Sequence, residues 1–324
     1  MLRHIDSKRT FVFAAITLAF FGTLVPIPAV QAAGKGDPAA KKKASAKKKK
    51  APAKQKASYI RVRRDGRKRP IAMDVAIVRF QSAKRPSVVV DLVGVVHVAD
   101  KVYYEDLNKR FRGYDAVLYE LVAPTGVKIP RGGLKNRPRS FLSSMQMGIK
   151  NVLNLSFQLQ IVDYSRRNFV HADMTPKEFA DSMNRKGESF FKMFLRMMSQ
   201  AMKSQASNKT SDLDLIIALL SPNRSVRLKR IMAEQFEGME SALSAINGPD
   251  GSTIITERNK KALSVLREQL KNPKRKRLAI FYGAGHLSDM EMRMVKEFGF
   301  KRTGIEWLKA WDLTTKSRKR KAKK

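Results

Sequence analysis

The sequence predicts an α/β (α+β) fold: a central, largely parallel sheet of two βαβ-type halves, with a large helical insertion covering the strand ends. Three observations carry that expectation. Residues 87–100, SVVVDLVGVVHVAD, are too apolar for a half-exposed strand and read as one buried on both faces, in the middle of a parallel sheet. Residues 277–286, RLAIFYGAGH, repeat the device near the other end of the chain, and both runs close on Gly-x-x-His. Between them, 125–251 turns helical and methionine-rich, with several consecutive candidate helices and no strand.

Length and charge set the outer bounds. A chain of 324 residues has room for one or two domains and a sizeable core. Its formal net charge of +38 is unevenly spread. Residues 1–57 hold 13 Lys/Arg against 2 acids and 314–324 hold 7 against none, which leaves 46 basic and 26 acidic residues for 58–313. The folded part is thus basic in its own right and suited to polyanions: nucleic acid, acidic polysaccharide or anionic lipid. The chain has no cysteine, so disulfides and thiolate metal sites are excluded and any metal falls to histidine and carboxylate.

Taken in order, residues 1–33 read as a secretory signal peptide. Arg3, Lys8 and Arg9 form a basic start, 11–25 is apolar but short for a membrane span, and Val30-Gln-Ala32 offers a cleavage site. The mature chain then begins near Ala33 or Gly34, without a transmembrane helix, and the protein is secreted or periplasmic, at the cell envelope. The alternative is an uncleaved anchor. Residues 34–58 are a Lys/Ala/Pro tract with no apolar face, read as a disordered linker, and 314–324 is a basic tail of the same kind. These tracts suit an anionic envelope polymer or lipid; in an exported protein nucleic acid is the weaker partner.

The globular domain is expected over 59–313. Strands 59–64 and 71–80 are joined by a hairpin signal at Asp65-Gly66, followed by the buried run ending near Val98. Asp100 is placed to N-cap a helix to Arg112 that faces Tyr103, Leu107 and Phe111 inward. The strand 115–122 closes a βαβ unit, with Glu120 at its C-terminal end. Candidate helices of the insertion are 140–166, 175–184, 189–203, 213–220 and 224–246. Phe190, Phe191, Phe194, Met197, Met198 and Ala201 form a broad apolar face for core or lid packing, or for membrane contact. Thr253 can cap a helix to Leu270, on whose apolar stripe Arg258 falls beside Ile255 and Ala262, so that its guanidinium demands a carboxylate partner. The strand 278–282 runs through Gly-Ala-Gly-His286 into a helix opened by a Ser288-x-x-Glu291 capping box, facing Met290, Met294, Val295 and Phe298 inward and stopped by Gly299. A last strand covers 303–311.

His97, Glu120 and His286 all end buried strands. If those strands share one parallel sheet, the side chains converge in the crevice outside its C-terminal ends. Two imidazoles and a carboxylate suit Zn, Mn, Fe or Co, and such a metal polarises a carbonyl and acidifies its water. Arg258, if it reaches that place, orients Glu120 or stabilises an oxyanion. The glycines of both motifs are expected to allow a tight turn between strand and histidine. His171-Ala-Asp173 is a weaker source of ligands, and His4 belongs to the signal segment. The chain has no His-Glu-x-x-His, Gly-x-Ser-x-Gly or Walker loop. Gly283-x-Gly285-x-x-Ser288 with Glu306 nearly meets the dinucleotide-binding pattern but fails at the third glycine.

Gly94-Val-Val-His97, Leu118-Tyr-Glu120, Thr256-Glu-Arg258-Asn259 and Tyr282-Gly-Ala-Gly-His286-Leu together resemble the TraB/PrgY/GumN/TIKI family. The resemblance spans 59–312 and rests on those four blocks. It implies a fold of the erythromycin-esterase/ChaN-like group and a metal-dependent hydrolase, since characterised TIKI members act as metallopeptidases and others inactivate peptide pheromones. On that resemblance His97, His286 and Glu120 hold a divalent metal (Mn, Co or Zn), Glu120, Arg258 and Asn259 are the catalytic set, and the substrate is a peptide. The competing expectation is a non-catalytic envelope protein that binds anionic polymers or peptides through its basic surface.

Overall fold

The computed structural model describes residues 58–132, 153, 155–189, 192, 217, 218, 220–237, 247 and 250–315. The expected signal peptide, most of both basic tracts and most of the candidate helices 189–203 and 213–220 lie outside these residues.

Asp65 turns the chain by accepting from the backbone N–H groups of Arg67 and Arg69, and so joins β1 (Ile60–Arg64) to β2 (Pro70–Ser82). β2 organises the antiparallel half of the sheet. One side pairs along β9 (Phe300–Asp312); the other pairs first with β1, then with β3 (Val89–Val95). From β3 the sheet continues through β8 (Arg277–Gly283) and β5 (Ala116–Tyr119) to β7 (Phe169–His171), every one of these pairs parallel. β2 therefore runs against the rest of a 7-stranded, mostly parallel sheet. The two apolar runs singled out in the sequence are neighbours, β3 against β8 from Val89–Arg277 to Val95–Gly283. A short pair, β4 (Val98–Ala99) with β6 (Ser156–Phe157), lies outside the main sheet.

Helix α1 (Lys101–Phe111) links β3 to β5 and buries Tyr103, Tyr104, Leu107 and Phe111 on one face. Asp100 stands at its N-cap position but makes no cap bond; its carboxylate instead accepts from Lys229 Nζ and from the backbone N–H of Asp312. The expected helix 140–166 does not run through its described part. It gives β6, a single turn α2 (Gln158–Ile161), and then β7. Asn108 diverts the chain there, donating to the Ile161 carbonyl and accepting from the Asp163 N–H, so those backbone groups are satisfied outside a helix. The insertion thus contributes an outer parallel strand, which its composition had not suggested.

Thr175 caps α3 (Pro176–Arg185) through a capping box with Glu178, and α4 (Arg224–Glu237) follows further on. The cap expected at Thr253 belongs to Ser252, whose Oγ accepts from the Ile255 N–H; Thr253 Oγ1 pairs with Ser182 instead. A π turn (Thr253–Glu257) then leads into α5 (Arg258–Leu270). After β8, a 3-10 turn (Ala284–His286) starts the helix early, so α6 (Leu287–Lys296) already contains Ser288 and no capping box forms there; Glu291 accepts from the Tyr59 hydroxyl. Met290 and Met294 are buried as expected, but Val295 is 47% exposed. Gly299 ends the helix at φ +66. Among the described residues no helix is long and apolar enough to cross a membrane.

Candidate functional site

The parallel register brings the ends of β3, β5 and β8 together, and with them His97, Glu120 and His286. Gly283 lies at the centre. A Cβ added there would stand 3.3 Å from Glu120 Oε2, 3.6 Å from His286 Cδ2 and 3.9 Å from His97 Nε2. All three side chains are buried. The glycines act differently from the expected turn. Gly94 is inside β3, where a Cβ would come within 3.0 Å of the Ala76 carbonyl and of Val75 Cγ1. It permits close packing against β2, while Gly283 makes room for the Glu120 carboxylate.

Each imidazole is held by a side-chain amide. Asn259 Nδ2 donates to the His286 carbonyl and to Asp289, so its Oδ1 is the acceptor for His286 Nδ1–H at 2.7 Å. Gln158 Nε2 donates to the Tyr164 hydroxyl, so its Oε1 accepts from His97 Nδ1–H, also at 2.7 Å. Both rings therefore donate from Nδ1, which leaves Nε2 as the nitrogen available to a further partner. Among the described residues His97 Nε2 is buried with no hydrogen-bond partner, and His286 Nε2 stands 3.6 Å from Glu120 Oε1, too long for a hydrogen bond. The Tyr103 and Tyr104 hydroxyls fix the loop before His97 by donating to the carbonyls of Gly94 and Val96.

Arg258 finds two carboxylates. Its Nε donates to Asp173 Oδ1 at 3.0 Å, and its Nη2 donates to Asp173 Oδ2 and to Glu120 Oε1, both at 2.6 Å. Glu120 Oε2 accepts from the Gly283 N–H at 2.6 Å. Burial alone would raise the Glu120 pKa, but the Arg258 charge, then the neighbouring histidines and the Gly283 N–H, hold it down at about 2. Burial lowers the His286 pKa to about 4 against the pull of Glu120. Glu120 is ionised and His286 is neutral, and the formal charges of Glu120, Asp173 and Arg258 sum to −1 beside the two imidazoles.

That charge and those donors fit a divalent cation of the zinc, manganese or cobalt type held by His97 and His286. The amide partners are what such a site needs behind its ligands, and a buried nitrogen without a partner is otherwise a penalty of about 1–3 kcal/mol. Among the described residues no group of three His, Asp or Glu side chains forms a complete metal cluster. Each Glu120 oxygen already accepts one hydrogen bond, from Arg258 and from the Gly283 N–H. Glu120 sits at the site's wall, fixed and charged.

Arg258 and Asn259, adjacent at the start of α5, support Glu120 and His286 respectively from behind. Asp173, a minor candidate in the sequence, joins through Arg258. His171 does not, its Nε2 pairing with the Leu121 carbonyl at 2.6 Å. Glu306 lies in β9 and pairs with Arg110, away from Gly283, Gly285 and Ser288. His4 falls outside the described residues. Gln158 and Tyr164 carried no signal in the sequence; the demand of a buried Arg258 for a carboxylate is the signal by which Asp173 can be found. Comparison of the chain with protein-family models, curated proteins and solved structures finds no match.

Proposed function

We propose that this chain is an exported metal-dependent hydrolase acting on peptides. The observation that supports this best is the pair of buried imidazoles from opposite halves of the chain, both held at Nδ1 by a side-chain amide and gathered with Glu120 around Gly283. His97 and His286 would hold the metal, with Glu120 as ligand or as acceptor for a water's hydrogen. Such a metal supplies Lewis acidity toward a carbonyl and a more acidic water. The chain's own residues do the rest. Arg258 fixes the Glu120 carboxylate, so that its charge stays in place through a reaction. A carboxyl held at about pKa 2 is a weak base, and its part is to orient a hydrogen-bond donor and to balance positive charge. Asn259 and Gln158 keep both rings from rotating or changing tautomer. The resemblance to the TraB/PrgY/GumN/TIKI family points to the same chemistry and to peptide substrates, and the apolar start of the chain to export.

The second reading, a non-catalytic envelope protein, draws on the charge of +20 over 58–313. One experiment separates the two. The purified full chain is assayed for bound metal and for peptide hydrolysis, beside a His97→Ala/His286→Ala variant. Bound Zn, Mn or Co and hydrolysis, both lost in the variant, are expected. A metal-free wild-type chain that binds none when it is supplied overturns the hydrolase reading.

A further inference from the structure

The end of the sheet opposite the candidate site has a different chemistry. β3, β5, β7, β8 and β9 all begin there, in aligned register: Val89 beside Arg277, Ala116 beside Leu278, Val117 beside Phe169, and Phe300 beside Ser82 of β2. The segments that lead into the four inner strands, 83–88, 109–115, 166–168 and 271–277, hold 12 Lys/Arg and one acid, Asp115. That acid is turned to the backbone, accepting from the N–H groups of Lys276 and Arg277. Lys84, Arg85, Lys109, Arg112, Arg167, Lys274, Lys276 and Arg277 are exposed, and none of them has a carboxylate partner among the described residues. Counting Asp106, Glu306, Asp163 and Glu268, which pair with Arg110, Arg166 and Lys271, this end of the sheet still holds a net charge of +7.

The array is rigid. The Val89 N–H donates to the Lys276 carbonyl, the Asp115 N–H to the Arg277 carbonyl and the Val117 N–H to the Asn168 carbonyl, each at 2.7 Å. Arg85 donates to the Leu270 carbonyl, and Asn168 to the carbonyls of Phe111 and Tyr114. Like charges are held together here largely by bonds between backbone groups, with the Arg85 guanidinium adding one of its own. Self-repulsion opposes that arrangement, and a facing anionic surface relieves it.

We infer that this end of the sheet docks on an anionic phospholipid surface. The charges are spread across four neighbouring strand starts, about 15 Å at sheet spacing, and they sit on loops of different segments, as a flat charged plane requires. Among the described residues no aromatic side chain is exposed there; stacking platforms for sugars or bases are what a polysaccharide or nucleic-acid site adds to its charge. Docked this way, the protein directs the ends of β3, β5 and β8 away from the lipid, about 20 Å off along the seven residues of β3. Docking does not depend on the hydrolase reading.

The test measures partition of the full chain onto phosphatidylcholine vesicles with and without about one-third phosphatidylglycerol, taking the difference as the charge-dependent part. Lys84→Gln/Lys274→Gln is compared with Arg67→Gln/Lys68→Gln, which removes the same charge at the β1–β2 turn. At about fivefold per basic residue near an anionic surface, the first pair weakens partition about 25-fold and the loss shrinks with salt, while the second changes it less than twofold. Equal losses in both pairs, no loss in the first, or binding to soluble polyglutamate with none to vesicles overturns the proposal.

Discussion

Replacing Arg258 by Met tests the charge balance of the site directly. The guanidinium is buried and makes three short bonds to Asp173 and Glu120, themselves each 1% exposed. Methionine fills a similar volume but leaves two buried carboxylates with no cation between them. Removing one partner of a buried ionic group is a loss of about 3–5 kcal/mol, and at about 2–4 °C per kcal/mol for a domain of this size the melting temperature should fall by about 6–20 °C. Asp173→Asn alone keeps the Arg258–Glu120 bond at 2.6 Å and loses one charge-assisted contact, about 1.5–3 kcal/mol. Arg258→Met/Asp173→Asn restores the charge of −1, so the double variant should be more stable than the two losses added together, by about 1 kcal/mol or more. Urea unfolding at neutral pH, followed by the fluorescence of Trp307 and Trp311, measures all four proteins in metal-free buffer. Additive losses, or an Arg258→Met loss under about 1 kcal/mol, would refute the reasoning.

Gln158→Leu should lower affinity for zinc or cobalt about 10–100-fold by freeing the His97 ring, while Gln158→Glu, which keeps an acceptor for Nδ1–H, should retain most of it; metal titration reads the affinity and histidine carbon shifts in NMR read the tautomer. Gly94→Ala should destabilise the fold by about 1–3 kcal/mol in urea unfolding, because its Cβ meets the backbone of β2.

The sheet was legible because its signals are local. An apolar run of strand length is a buried strand wherever it occurs, and the register then follows from packing two such runs side by side. β7 was not legible. Phe169–His171 is three residues long, and what stops a helix before it is the Asn108 side chain, brought in by α1 from a distant segment. The caps show the same limit. Ser252 and Thr253 both offer a hydroxyl at the right place, and the choice is made by Ser182 and Asn247, which bind the hydroxyls of Thr253 and Ser252. Ser288-x-x-Glu291 meets the pattern of a capping box, yet the 3-10 turn before it has already begun the helix.

In the candidate site, residue types that need a partner were more informative than those that offer one. Arg258 on an apolar helix face states a requirement, since a permanent cation enters a core only with a carboxylate. Glu120 answers part of it, and the balance comes from Asp173. Gln158 is an uncharged side chain that states no such requirement, and it is read only once His97 is seen to need an acceptor at Nδ1. The requirement of the site that stays unmet among the described residues is at His97 Nε2, buried and without a partner, next to a net negative charge. A donor or a cation would meet it. A divalent cation also engages the second imidazole at the same time. Burial holds His286 neutral, so its Nε2 is free to ligate, and metal binding to the His97→Ala and His286→Ala single variants measures the part of each ring.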